Sequence, residues 1–238
     1  MDMRTNAALS IAMAAIVTVG NSKSGKGRGF VVESRRRILP VSGLPLVRFV
    51  TNRLVVTAAH CLPYLPAHPA SFAHERTYLA ILGPLGTEPT VAAECLFVDP
   101  IADLAVLCEP DGQTEFYDEA EAYEQLTQDR SVLRVGAVTA PCAVWLLTLA
   151  GQWEQCSVRV NEYGAATLVL VGAKDGNVSG TSGSPIVTAD GCAVGIVSLG
   201  SEVSGKARNE QYGQPRLGSV LPAWLLAELN RGPDARKE

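Results

Sequence analysis

Along most of the chain, short apolar and β-branched runs alternate with Gly, Pro, Asn and Asp. The runs predict strands at about 13–20, 28–33, 46–50, 53–57, 78–83, 90–98, 103–108, 131–138, 143–149, 155–161, 166–172, 184–188, 192–198 and 214–220. Turn residues recur at spacings near ten, which suits an all-β barrel or sandwich. Helical periodicity is rare. Near the C-terminus, Leu221, Trp224, Leu225 and Leu229 form one apolar face, stopped by Arg231-Gly232-Pro233, and predict a short helix over about 221–230. A second candidate, 118–129, lies inside the acidic stretch 109–130, between strands, and reads as the connection between two β units or an acidic surface. At the N-terminus, Ala7–Val19 is apolar enough for a signal-peptide core. However, Arg4 is the sole basic residue before it, Asp2 offsets that charge, and no clear small-residue cleavage site follows. A helix or coil over 1–12 leading into the first strand is expected instead.

Composition narrows the classes. With 47% hydrophobic and 18% charged residues over 238 positions, the chain is not disordered as a whole. A net charge of −4 argues against a protein that grips nucleic acid through phosphates. No membrane span is expected, and the oligomeric state is not encoded. The six cysteines (Cys61, Cys95, Cys108, Cys142, Cys156 and Cys192) show neither CxxC nor Cys/His metal-site spacing. They read as reduced thiols, which favours a cytoplasmic over a secreted or periplasmic location.

Two local patterns carry chemistry. His60 ends an apolar run, in Thr57-Ala58-Ala59-His60-Cys61, and histidine is scarce here. Gly180-Thr181-Ser182-Gly183-Ser184-Pro185 is a Gly/Ser turn running directly into a strand. Glycines flanking a serine let the backbone turn sharply and present its hydroxyl and neighbouring N–H groups, as an activated nucleophile requires.

Together these segments resemble the histidine and serine signatures of the chymotrypsin/trypsin-like serine proteases. Between them, Ile101-Ala102-Asp103-Leu104-Ala105-Val106-Leu107 looks like the family's aspartate strand, and Gly195-Ile196-Val197-Ser198-Leu199-Gly200 like the strand lining the substrate cleft. The order His, Asp, Ser is the family's, in a compact bacterial-type arrangement spanning about 17–228. The resemblance implies an all-β fold of two six-stranded antiparallel Greek-key barrels around an active-site cleft, with a short C-terminal helix. The first barrel would occupy 1–115, with an extra loop or hairpin about 34–50 that includes Arg35-Arg36-Arg37. An acidic linker would follow at 116–130, and the second barrel and helix at 131–238.

It further implies a serine endopeptidase that acts on polypeptides without a cofactor or metal. Ser182 would be the nucleophile, His60 the base and Asp103 its orienting carboxylate, with the N–H groups of Gly180 and Ser182 as oxyanion hole. Asp99 is a rival for Asp103, but it precedes Pro100 in a turn. Gly176, Asn177, Val197, Ser198, Leu199 and Gly200 would line the substrate cleft and give an uncharged pocket, unless Arg216 points inward. The alternative is a catalytically silent or partner-restricted protease-like binding or effector module. Departures are also visible. Thr181 stands where members activated by N-terminal clipping carry Asp, Ser184 replaces the commoner Gly, and Thr188 stands where another half-cystine is common. Cys61 has Gly27 or Arg28, rather than Cys, at its usual partner's place.

Overall fold

The computed structural model describes residues 2–21, 25–38, 48–66, 73–111, 115–160, 167–175, 178–198 and 216–229. Two antiparallel barrels dominate. The first closes β1 (Ile16–Asn21), β2 (Gly25–Ile38), β3 (Arg48–Thr57), β4 (Thr77–Pro84), β5 (Val91–Asp99) and β6 (Leu104–Cys108) in the order β1-β2-β3-β6-β5-β4. The second contains β8 (Cys142–Leu147), β9 (Trp153–Val160), β10 (Thr167–Val171), β11 (Pro185–Thr188), β12 (Cys192–Val197) and β13 (Arg216–Val220). Pairing of β11 with β12 closes this six-stranded ring, and β7 (Arg134–Val135) lies parallel on β12. The fold is thus all-β, with two six-stranded antiparallel barrels and a short C-terminal helix, α4 (Ala223–Leu229).

Each barrel fills its interior with inward-facing positions of its strands. Phe30, Val55, Ile81, Leu104 and Leu107 are fully buried in the first, and Leu146, Val158, Leu168 and Ile186 in the second. Burying side chains of this size contributes roughly 1.5–3 kcal/mol each.

Three features depart from the pattern-based expectation. The runs at 46–50 and 53–57 form one strand, β3, because β2 supplies a continuous ladder from Gly29↔Thr57 to Ile38↔Arg48. Residues 34–38 and 48–50 therefore extend the β2–β3 pairing, and 39–47 and the side chains of Arg35, Arg36 and Arg37 lie outside the described set. The strand expected over 131–138 shrinks to Arg134–Val135, because among the described residues only Cys192 and Ala193 pair with it.

The acidic stretch contains a docked helix, α3 (Tyr117–Gln128), which buries Ala120, Tyr123, Leu126 and Thr127. The Tyr123 hydroxyl reaches the carbonyls of Arg53 (3.1 Å) and Leu107 (3.2 Å) on the first barrel. Arg53 donates back to the carbonyls of Thr127 and Arg130, placing a cation on the negative end of the helix dipole, while Asp118 and Glu119 occupy the positive end. A 3-10 turn (Ala59–Cys61) and a one-turn helix, α2 (Ala73–Arg76), add to the first barrel. At the N-terminus, α1 (Met3–Ala14) is capped by Asp2, which accepts from Thr5 N at 2.8 Å. It buries Leu9 and Ala12 and approaches Gly191 of the second barrel through Ala8. No described helix is long and apolar enough to cross a membrane.

Candidate active site

The histidine and aspartate segments meet at one end of the first barrel. β3 ends at Thr57, and the 3-10 turn then swings His60 out to a half-exposed position. Asp103 precedes β6 with φ +51°, in the left-handed region, where Asp is among the better-tolerated non-glycine residues. That conformation turns its carboxylate onto the histidine segment. Its oxygens lie 2.8 and 3.0 Å from His60 Nδ1, and Oδ1 also accepts from His60 N at 3.0 Å. Ala59 N donates to the Asp103 carbonyl at 3.2 Å, locking the two segments together. Asp99 is occupied elsewhere, since its Oδ1 caps the turn by accepting from Ile101 N (2.9 Å) and Ala102 N (3.0 Å).

Burial raises the Asp103 pKa. Hydrogen bonds from His60 and from the Ser198 hydroxyl outweigh that effect and hold the carboxyl below its ordinary range. Ser198 Oγ donates to Asp103 Oδ2 at 2.5 Å. Sequence reasoning assigned Ser198 to the substrate cleft. Its side chain hydrogen-bonds the Asp103 carboxylate, a contact between distant parts of the chain that no local pattern reveals.

The serine loop closes against the same end of the first barrel. Arg28 N on β2 donates to the Ser182 carbonyl at 2.7 Å, and Cys61 Sγ lies 3.7 Å from that oxygen. Gly183, at φ +78°, packs so tightly that a Cβ there would stand 2.0 Å from the Arg28 carbonyl and 2.6 Å from Thr57 Oγ1. The turn before Ser182 is closed by Thr181. Its hydroxyl donates to the Val178 carbonyl (2.8 Å) and accepts from Val178 N (3.1 Å). Threonine thus ties the loop internally where an acid would need an ammonium partner. Gly180 has φ +91°, and neither its N–H nor that of Ser182 finds an acceptor among the described residues. No hydrogen bond joins the described Ser182 and His60 side chains. Ser184 is fully buried, and its Oγ has no partner among the described residues.

Val197 was expected to line the pocket, but its side chain is 1% exposed in the second-barrel core. Its N donates to the Ser184 carbonyl (2.8 Å) and its carbonyl accepts from Gly183 N (2.7 Å), so it braces the serine loop. Gly176, Asn177, Leu199, Gly200 and the Arg216 side chain lie outside the described set. None of the six cysteines is in a disulfide, and burial pushes the Cys61 thiol up to about 12. Among the described residues, no cluster of His, Cys, Asp and Glu could hold a metal. A cavity of about 1000 Å³ lies elsewhere, lined in part by Arg53, Phe97, Glu109, Tyr123, Glu124 and Trp224. His60, Asp103 and Ser182 are not in its wall.

Two closed six-stranded barrels, with a histidine–aspartate pair on one and a glycine-flanked serine from the other at their seam, define the trypsin-like fold. No protein-family model matches the chain, and no curated protein does. Solved structures similar to it include Deg5, Rv3671c and a serine endoprotease. Deg5 shares 14% identity at a TM-score of 0.44, over 84% of this chain and 88% of that one. Rv3671c of M. tuberculosis H37Rv, as an inactive serine-to-alanine mutant, shares 17% at 0.44, over 94% and 88%. A serine endoprotease from Yersinia pestis shares 15% at 0.47, over 94% of this chain and 64% of that one. Likeness at this level bears no functional argument, and the fold assignment rests on the strand topology.

Proposed function

We propose that the protein is a serine endopeptidase that cleaves polypeptides through an acyl-enzyme. The observation that carries this reading is the two-point grip of Asp103 on His60, at Nδ1 and N, with Ser182 held at the same seam. In this mechanism Ser182 Oγ attacks the scissile carbonyl carbon while His60 Nε2 takes its proton. Asp103 holds the Nδ1–H tautomer and stabilises the imidazolium. The N–H groups of Gly180 and Ser182 donate to the developing oxyanion. Collapse of the tetrahedral intermediate expels the amine, protonated by His60, and leaves an ester on Ser182. Water, deprotonated by His60, attacks that ester, and the carboxylate product and free Ser182 follow. The substrate pocket is read as uncharged, from Gly176, Asn177 and Gly200, in a cytoplasmic protein.

A competing reading, a catalytically silent binding module, draws support from the absent Ser182–His60 hydrogen bond. Such bonds are often long before substrate binds and tighten in the complex. A fluorophosphonate probe separates the two. Stoichiometric labelling that is lost in Ser182→Ala, with peptide turnover falling in step, supports the peptidase. A folded wild type that neither labels nor cleaves any member of a peptide library overturns it.

A further inference from the structure

Arg28 is a cation placed where the fold has little reason to keep one. It sits on β2 between Gly27 and Gly29, is 6% exposed, and has no carboxylate partner among the described residues. Its guanidinium crosses the seam between the barrels instead. Nη1 donates to the Leu147 carbonyl at 2.5 Å and Nη2 to the Thr148 carbonyl at 3.0 Å. Burial disfavours the charged form, so the position is costly unless the cation does something a neutral side chain cannot. Two adjacent carbonyls on another element suit the planar fork of guanidinium, which has divergent donors and no acceptor.

Both ends of Arg28 act on the serine loop. Its main-chain N–H holds the Ser182 carbonyl at 2.7 Å, and its main-chain carbonyl receives Thr57 Oγ1 at 2.7 Å beneath Gly183. Its side chain fixes the turn after β8. The next residue in that turn, Leu149, lies against Gly180, since a Cβ on Gly180 would stand 3.4 Å from Leu149 Cδ2. One residue thus touches the serine directly and Gly180 through Leu149.

Resting on the peptidase reading above, we propose that Arg28 is a positioning residue for the oxyanion hole, clamping the Ser182 backbone from one side and the Leu147–Leu149 turn against Gly180 from the other. Arg28 contacts neither substrate nor His60 in this scheme. Its loss misplaces the two N–H donors by a fraction of an ångström, which weakens transition-state binding more than substrate binding.

The test compares wild type with Arg28→Gln and Arg28→Lys, each assayed well below its melting temperature. Arg28→Gln is expected to lower kcat by about tenfold to 100-fold with KM changed less than about threefold. Inhibition by a peptide aldehyde, which forms an oxyanion on Ser182, should weaken in parallel. Arg28→Lys should recover part of both losses. Leu149→Ala leaves Arg28 intact, removes the packing on Gly180, and should show the same selective loss of kcat even if Arg28→Gln fails to fold. Folded Arg28→Gln or Leu149→Ala with wild-type kcat and aldehyde affinity, and only a lower melting temperature, overturns the proposal while the peptidase reading stands. A wild type that neither cleaves nor labels overturns both.

Discussion

Asp103 Oδ2 lies 2.8 Å from His60 Nδ1 and accepts Ser198 Oγ at 2.5 Å, so one carboxylate oxygen is shared by a ring nitrogen and a hydroxyl. The second oxygen is held by His60 N, leaving the carboxylate little freedom to rotate.

This arrangement makes Asp103 and Ser198 separable by mutation. Asp103→Asn keeps the shape but presents the wrong partner to Nδ1, and should lower kcat by about 10⁴-fold. Ser198→Ala removes one donor and should lower it by about tenfold. Stability has a defined sign. The folded carboxyl titrates below its ordinary value of 3.8. Its stabilising contribution is therefore present above that value and lost as pH falls through the depressed folded pKa. Thermal melts between about pH 2 and 5 should show less of this acid-side loss in Ser198→Ala. Equal slopes in both proteins would contradict the assignment.

Gly27 offers a place for a bond that the chain lacks. A Cβ there would stand 3.5 Å from Cys61 Cβ, 2.4 Å from Cys61 Sγ, a contact that rotation of the sulfur relieves, and 2.9 Å from the Ser182 carbonyl oxygen, a contact that the backbone must relieve by a small shift. The Cβ separation lies within the disulfide range. Gly27→Cys should therefore form a disulfide with Cys61 under mild oxidant, seen as two lost thiols and a higher melting temperature. The gain should be about 2–4 kcal/mol. Two titratable thiols persisting at these positions after oxidation would show that the strand and the turn do not approach as described.

Tyr123 tests the helix that joins the barrels. Tyr123→Phe keeps the packing and strips a buried donor from the carbonyls of Arg53 and Leu107. Denaturant melts should show a loss of about 1–3 kcal/mol, with labelling of Ser182 unchanged at low temperature. A loss of labelling in a fully folded variant would mean that α3 reaches the site.

The strands were legible because apolar runs bounded by turn residues carry the barrel pattern locally. The C-terminal helix was legible from its periodicity, whereas 118–129 was a helix candidate within an expected acidic linker and its buried face was not read. The aspartate choice could also be read, since Asp103 adjoins an apolar run whereas Asp99 precedes Pro100 in a turn. Side-chain direction across the seam was not legible. Ser198 and Asp103 are separated by 95 residues, and nothing local tells a serine to face one way. Arg28 opens the strand expected over 28–33, and only the approach of β8 shows where its guanidinium goes. Val197 looked like pocket wall because motif offset locates a backbone, not the face its side chain takes.

The docking of α3 has a mechanical consequence. Ser131 N and Leu133 N, just past the helix, donate to the carbonyls of Ala14 and Val31, so the chain remains tied to the first half as far as Leu133. Ser182, from the second half, is moored to β2 through Arg28 N, so this serine is anchored on the histidine's side of the seam. Among the described residues, the chain from α3 to Leu133 is held on the first barrel, and any rotation between the barrels strains the mooring at Ser182. The place of the serine loop is thereby a property of the whole two-barrel frame.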